Sequence, residues 1–161
     1  MGVHGLARTL KGGYEEAQSY IENYFAYHSG ILAYMEKIKH QARERGYVET
    51  LFNRKRYLPE LQSGYSRFKK AAERMAINMP VQGTAADLLK LAMIGIDKDL
   101  PKVSRHSSML LQVHDELIFE VLEKDTEKVS ELVRDKMENV YKLKVPIRVG
   151  ISIGKNWGEL K

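Results

Sequence analysis

The chain has 161 residues, 43% hydrophobic and 29% charged, with no low-complexity stretch, so it can build a real core and does not have the composition of a disordered segment. It contains no cysteine, which excludes disulfide scaffolds, cysteine-ligated zinc or iron–sulfur centres and thiol catalysis, and suits a reducing compartment. No apolar run approaches the roughly 20 residues of a membrane helix, and Met1 to Leu10 lacks the apolar core of a signal peptide; a soluble, cytoplasmic protein is expected. The net charge of +5 lies wholly in the first half, with 13 basic and 8 acidic residues over 1–80 against 13 and 13 over 81–161.

In chain order, Gly12-Gly13 breaks the opening segment. Ala17, Tyr20, Ile21, Tyr24 and Phe25 then recur at helical spacing. Ser29-Gly30 interrupts before a second helix from Ile31 to Arg45, which Gly46 closes. Tyr47 to Phe52 alternates as a strand, Asn53-Arg54-Lys55 reads as a turn, and Arg56 to Leu58 returns before Pro59. Ser66 to Asn78 predicts a helix that Pro80 stops. Gln82 to Leu100 predicts a long helix with Leu88, Leu89, Leu91, Ala92, Ile94 and Ile96 as its apolar set. Two apolar strands follow, Met109–Val113 and Leu117–Val121, with His114, Asp115 and Glu116 at their turn. Lys124 to Leu143 is amphipathic helix, and Pro146 to Ile153 alternates as a final strand. The order predicts an α+β fold, an antiparallel sheet of hairpin plus C-terminal strand packed on long helices. The division expected is a helical part with a basic hairpin over 1–80 and the sheet-bearing part over 81–161.

Two features carry chemistry. Between Leu51 and Arg74 stand Arg54, Lys55, Arg56, Arg67, Lys69, Lys70 and Arg74, against only Glu60 and Glu73. Such a cluster is the footprint of a polyanion, since each neutralised phosphate releases counterions, and Arg matches phosphate oxygens in a bidentate way. A loosely basic solvated surface accounts for the same charge equally well. The second feature is the Asp115-Glu116 pair, set between apolar strands. A hard divalent cation such as Mg²⁺ is held by one or two carboxylates together with substrate phosphates, an arrangement that serves phosphoryl transfer. On spacing alone a solvated acidic turn is the better account. A hydrolytic triad built on His114-Asp115-Glu116 fails, because neighbouring residues point to different sides of a strand and no nucleophile is offered.

The combination is more specific. Ala72-Glu73-Arg74-Met75-Ala76-Ile77-Asn78-Met79-Pro80-Val81-Gln82-Gly83-Thr84-Ala85-Ala86-Asp87, followed by Leu111-Gln112-Val113-His114-Asp115-Glu116, closely resembles the C-terminal palm of the family A DNA polymerases, the bacterial DNA polymerase I type. Gly46 to Phe52 with Arg54 to Pro59, and the ending Gly154-Lys155-Asn156-Trp157, resemble that family too, in the right order over essentially Gly5 to Lys161.

The resemblance implies template-directed nucleotidyl transfer by a two-metal mechanism in DNA replication and repair. It implies that Asp115 is a catalytic aspartate and Mg²⁺ ligand (Mn²⁺ being possible in its place), that Glu116 is its less essential neighbour, and that His114 lies near the primer end. It gives Arg74, Asn78 and Gln82 contacts to primer and template along the minor groove, where purine N3 and pyrimidine O2 offer acceptors on every base pair. Their four-residue spacing lines one helix face if the helix runs through Pro80. Arg54, Lys55 and Arg56 form a basic hairpin suited to the DNA backbone. The family's first catalytic aspartate and the fingers helix that grips the incoming dNTP are not among these residues. The expected partners are therefore primer-template DNA, dNTP and an N-terminal polymerase portion supplying both, with no membrane. A non-catalytic basic DNA-binding module, or a decayed remnant, is the alternative; a single-metal phosphodiesterase built on Asp115 and Glu116 is a third.

Overall fold

The computed structural model describes residues 2–160 and has the expected α+β character. Its helices are α1 (Val3–Leu10), α2 (Tyr14–Tyr27), α3 (Ser29–Arg45), α4 (Ser66–Val103) and α5 (Thr126–Glu138). Its strands are β1 (Tyr47–Glu49), β2 (Lys55–Tyr57), β3 (Ser108–Val113) and β4 (Glu116–Glu120). The chain falls into two compact units, Met1–Pro80 and Val81–Lys161, with α4 contributing to both.

In the first unit, the break between α2 and α3 is the single residue His28, with φ −106° and ψ 52°, so α3 begins two residues earlier than the Ser29-Gly30 pair suggests. Gly46 ends α3 at φ 75°, in the left-handed region that an L side chain enters at a cost. Its amide donates to the Ala42 carbonyl at 2.9 Å, and its own carbonyl accepts the Leu58 amide at 2.8 Å. One glycine thus stops the helix and closes the base of the β1–β2 hairpin. That hairpin packs on the start of α4: Ala42, Val48, Leu58, Leu61, Ala72 and Ala76 are buried together, flanked by Ile38, Met75 and Met79. Alanines at 72 and 76 lie one turn apart and let hairpin and helix approach closely.

The second unit centres on Ile96, Leu100, Val129 and Val133, covered by Leu117, Phe119 and Val121. Leu88, Ala92, Ile96 and Leu100 recur every four residues along α4 and are all buried; Leu91 and Ile94, expected in the same apolar set, are 43% and 67% exposed. Antiparallel β3 and β4 pair Gln112 with Leu117 and Met109 with Phe119, with a one-residue bulge between Met109 and Leu111. Alternation puts Leu117 and Phe119 against the helices and leaves Leu111, Val113, Glu116 and Ile118 on the opposite face. An ion-pair triad joins α4 to α5: the Asp99 carboxylate meets Lys102 Nζ and Lys136 Nζ, each at 2.6 Å.

Three expectations are corrected. Pro80 does not stop the helix, since α4 runs unbroken over 38 residues through it; apolar burial at Ala76 before it and Leu88 after it outweighs the hydrogen bond that proline cannot donate. Helix α5 ends at Glu138 rather than Leu143, where the Glu138 carboxylate accepts the Val149 amide at 3.1 Å and pairs with Arg148 at 3.4 Å. The returning chain is thereby held at that point. The segment 146–153 keeps its alternation of burial but pairs with no strand among the described residues. The sheet of the second unit is therefore the hairpin alone, without the predicted C-terminal strand.

The packing has measurable consequences for stability. Leu58, 1% exposed, and Ile96, 0% exposed, should each cost about 2–5 kcal/mol when cut to alanine, read by urea denaturation. The hydrogen bonds from Lys102 and then Lys136 hold the Asp99 carboxyl at about 2, below its ordinary 3.8. A folded-state value below the unfolded one stabilises the fold above the ordinary pKa, and that contribution disappears as pH falls from near 3.8 towards 2. Acid unfolding of Asp99→Asn should lack this component, so the wild type and the variant should converge at the acid end.

Candidate active site and nucleic-acid interface

Register places the acidic pair. Val113 pairs with Glu116, so only His114 and Asp115 form the hairpin loop, and Glu116 is the first residue of β4 rather than part of the turn. A two-residue loop needs backbone with positive φ, and His114 supplies it at φ 52°. The Gln112 side chain donates its Nε2–H to the His114 carbonyl at 2.9 Å, bracing the loop from within β3. His114, Asp115 and Glu116 are all exposed. The Asp115 carboxylate thus stands at the tip of a hairpin that Leu117 and Phe119 of β4 anchor to the second unit's core. Among the described residues no group of three or more His, Cys, Asp or Glu side chains is positioned to hold a metal ion. Asp115 and Glu116 are the two carboxylates that this turn carries, and both are open to water.

The Gln112 brace escaped the reading of the sequence, although a polar residue two positions before the turn, on an otherwise apolar strand, was the signal for it. Thr50 escaped as well. It is 4% exposed, and its Oγ1 accepts the amides of Phe52 and Arg54, both at 3.2 Å, while the Thr50 amide donates to the Arg54 carbonyl at 3.0 Å. Asn53, at φ 62°, turns the chain within this loop. The β1–β2 connection is thus 50–54, longer than the Asn53-Arg54-Lys55 turn expected, and of the three basic residues of this hairpin only Arg54 belongs to it.

Lys55 and Arg56 lie in β2, paired with Glu49 and Val48. Lys55 Nζ sits 4.6 Å from the centre of the Tyr47 ring, a cation–π contact that keeps the charge at the surface. The Arg56 guanidinium reaches Met75 Sδ at 3.3 Å and so lies against α4. Glu73, the acid nearest Arg74 in the sequence, is engaged by Arg43 Nη2 at 2.5 Å, a pairing that raises the Arg43 pKa. Its negative charge is already matched and does not offset the surrounding cations. Arg74, Asn78 and Gln82 all lie in α4 and are all exposed, the first two in the first unit and Gln82 in the second.

The chain is similar to known proteins in sequence and in fold. A model of "DNA polymerase family A" matches residues 1–159. The chain belongs to DNA polymerase family A. It is 48% identical over 157 residues to the thermostable DNA polymerase I of Thermus aquaticus, covering 98% of this chain and 19% of that enzyme. It is 46% identical over 158 residues to DNA polymerase I of Mycobacterium leprae, covering 98% of this chain and 17% of that one. Among solved structures, the POL domain of Pol1 from M. smegmatis, in complex with DNA primer-template and dNTP, superposes with a TM-score of 0.93 at 43% identity, covering 99% of this chain and 28% of that one. The chain thus spans less than a fifth of the length of these full-length relatives. Among the described residues no helix is long and apolar enough to cross a membrane.

Replacing Thr50 with valine removes the acceptor from two loop amides while keeping the shape. A typical intramolecular hydrogen bond contributes about 0.5–1.5 kcal/mol net, so losing two part-buried ones in Thr50→Val should lower stability by about 1–3 kcal/mol. Hydrogen exchange should show the Phe52 and Arg54 amides losing protection before those of β1.

Proposed function

We propose that the chain is the C-terminal part of a DNA-directed DNA polymerase, acting in DNA replication and repair. In this reading residues 1–80 derive from the fingers, and residues 81–161 are the palm segment that presents one catalytic carboxylate to the primer end. The observation that carries the reading is the exposed Asp115 on a braced two-residue loop, within a chain whose fold matches a Pol1 domain bound to primer-template DNA and dNTP.

Each group has a task. Asp115, with Glu116 beside it, offers hard oxygen donors where a chain of phosphates would arrive. Two carboxylates suit Mg²⁺, or Mn²⁺ in its place, because such an ion takes one or two protein carboxylates and fills the rest of its shell with substrate oxygens and water. When bound, the metal neutralises charge developing on the phosphoryl oxygens. His114, adjacent on the same loop, borders the primer terminus. Arg74, Asn78 and Gln82 donate hydrogen bonds into the minor groove, where the acceptors are common to all base pairs; they test pair shape without reading sequence. Arg54, Lys55 and Arg56 neutralise backbone phosphates. The first catalytic aspartate and the helix gripping the dNTP come from another polypeptide segment, the N-terminal portion of the polymerase. A cytoplasmic location follows from the same reading.

The test is reconstitution. Mixed with the matching N-terminal portion, the chain should extend a primer in a Mg²⁺-dependent way. Asp115→Ala should lower the rate about 1,000-fold or more, which corresponds to roughly 4 kcal/mol of lost transition-state stabilisation. Synthesis unaffected by Asp115→Ala, or none from a folded and assembled pair, refutes the proposal. Separately, Lys55→Ala and Arg56→Ala should weaken duplex binding equally for all sequences and reduce the slope of log K against log salt by about 1 each, measured by anisotropy titration.

A further inference from the structure

The assigned residues leave one part of the basic surface unexplained. Tyr65 and Phe68, at the start of α4, are 73% and 55% exposed, and their rings meet edge to face with centroids 6.1 Å apart at 87°. Other large aromatics of the chain are as open to water, Tyr27 at 86% and Tyr57 at 69% among them; what sets Tyr65 and Phe68 apart is that the two adjoin each other among cations. Phe68 lies one turn before Ala72, which is buried with the β1–β2 hairpin, yet Phe68 itself stays outside that core.

The backbone beneath the rings is fixed. The Tyr65 amide donates to Ser63 Oγ at 3.2 Å, and the Tyr65 carbonyl accepts the amides of Phe68 and Lys69 at 3.1 and 3.2 Å. Little ordering would be needed to present the rings to a ligand. The immediate surroundings are positive: Arg67, Lys69 and Lys70 are all exposed. No acid lies in the first turn of α4, so the positive end of the helix dipole adds to the same field. An apolar protein partner would have to desolvate these cations, whereas a polyanion gains from them.

We infer that Tyr65 and Phe68 form a stacking platform for unpaired bases of single-stranded DNA, with Arg67, Lys69 and Lys70 holding its phosphates. Aromatic faces beside cations bind single strands of any sequence, because every base has a π-face. Duplex bases, already stacked on one another, cannot use the rings. The inference rests on the chain being a DNA-binding protein and extends that reading to strand ahead of or beyond the paired region.

Anisotropy titration of the full chain with a labelled oligothymidylate, and in parallel with a duplex, tests it. The double variant Tyr65→Ala/Phe68→Ala should bind oligothymidylate about tenfold or more weakly while its duplex affinity stays within about twofold. Both side chains are exposed, so the variant should fold, and an unchanged circular-dichroism melt checks this. As a second readout, Phe68→Trp can be made together with Trp157→Phe, which removes the chain's one natural tryptophan. That protein should retain the affinity, and oligothymidylate should quench the emission of its introduced indole. Oligothymidylate binding indifferent to the double alanine substitution, or an emission at position 68 untouched by saturating oligothymidylate, overturns the inference and leaves the polymerase reading standing. A folded chain that binds neither single strand nor duplex overturns both.

Discussion

The candidate active site depends on how a carboxylate is kept in water at the end of an apolar hairpin. A carboxylate is costly to bury without a partner, yet the strands that carry Asp115 have to be anchored if it is to be positioned. The fold separates the two demands along the length of β4: Leu117 and Phe119 lie against Ile96, Leu100, Val129 and Val133, while the loop at 114–115 projects beyond the core. A hairpin loop of only two residues gives the carboxylate little freedom, and that economy is possible because His114 accepts a left-handed conformation and Gln112 ties its carbonyl. A longer, looser loop would present the same carboxylate in a wider range of positions.

The same division of labour recurs at the β1–β2 hairpin. Its base is apolar and locked to α4 through Val48 and Leu58, and its cations are displayed on the short strand β2 and the loop before it. Thr50 takes the place of the Gln112 brace by satisfying two loop amides from a buried hydroxyl. In each unit a rigid apolar foot thus supports a polar tip, which is how a binding residue is held without being buried.

Much of this was legible in the sequence, because the features that are local are also periodic. The α2, α3 and β3–β4 elements, the closing role of Gly46 and the exposure of every candidate site residue follow from spacing and from the polarity of turns. What was not legible depends on partners distant in the chain. Alternation at Ile147, Val149 and Ile151 reports which way side chains face, and those residues are indeed less exposed than Arg148, Gly150 and Ser152; whether a strand lies alongside to pair with is a separate matter, and none does among the described residues. The end of α5 was misplaced for a related reason. Val140 and Tyr141 continue the apolar pattern, but Glu138 is drawn to Val149 and Arg148, a contact that no window of local sequence contains.

Pro80 shows how a local rule yields to packing. A proline inside a helix removes one hydrogen bond and crowds the carbonyl four residues earlier, here that of Ala76, at a cost of about 3 kcal/mol. Ala72 and Ala76 on one side, and Leu88, Ala92, Ile96 and Leu100 on the other, are buried at helical spacing. Burying even two or three leucine- or isoleucine-sized side chains returns about 1.5–3 kcal/mol each, enough to hold both flanks helical. Continuity of α4 through its least favourable residue is therefore a product of the apolar burial at helical spacing on either side of it, and of nothing in the local sequence around Pro80.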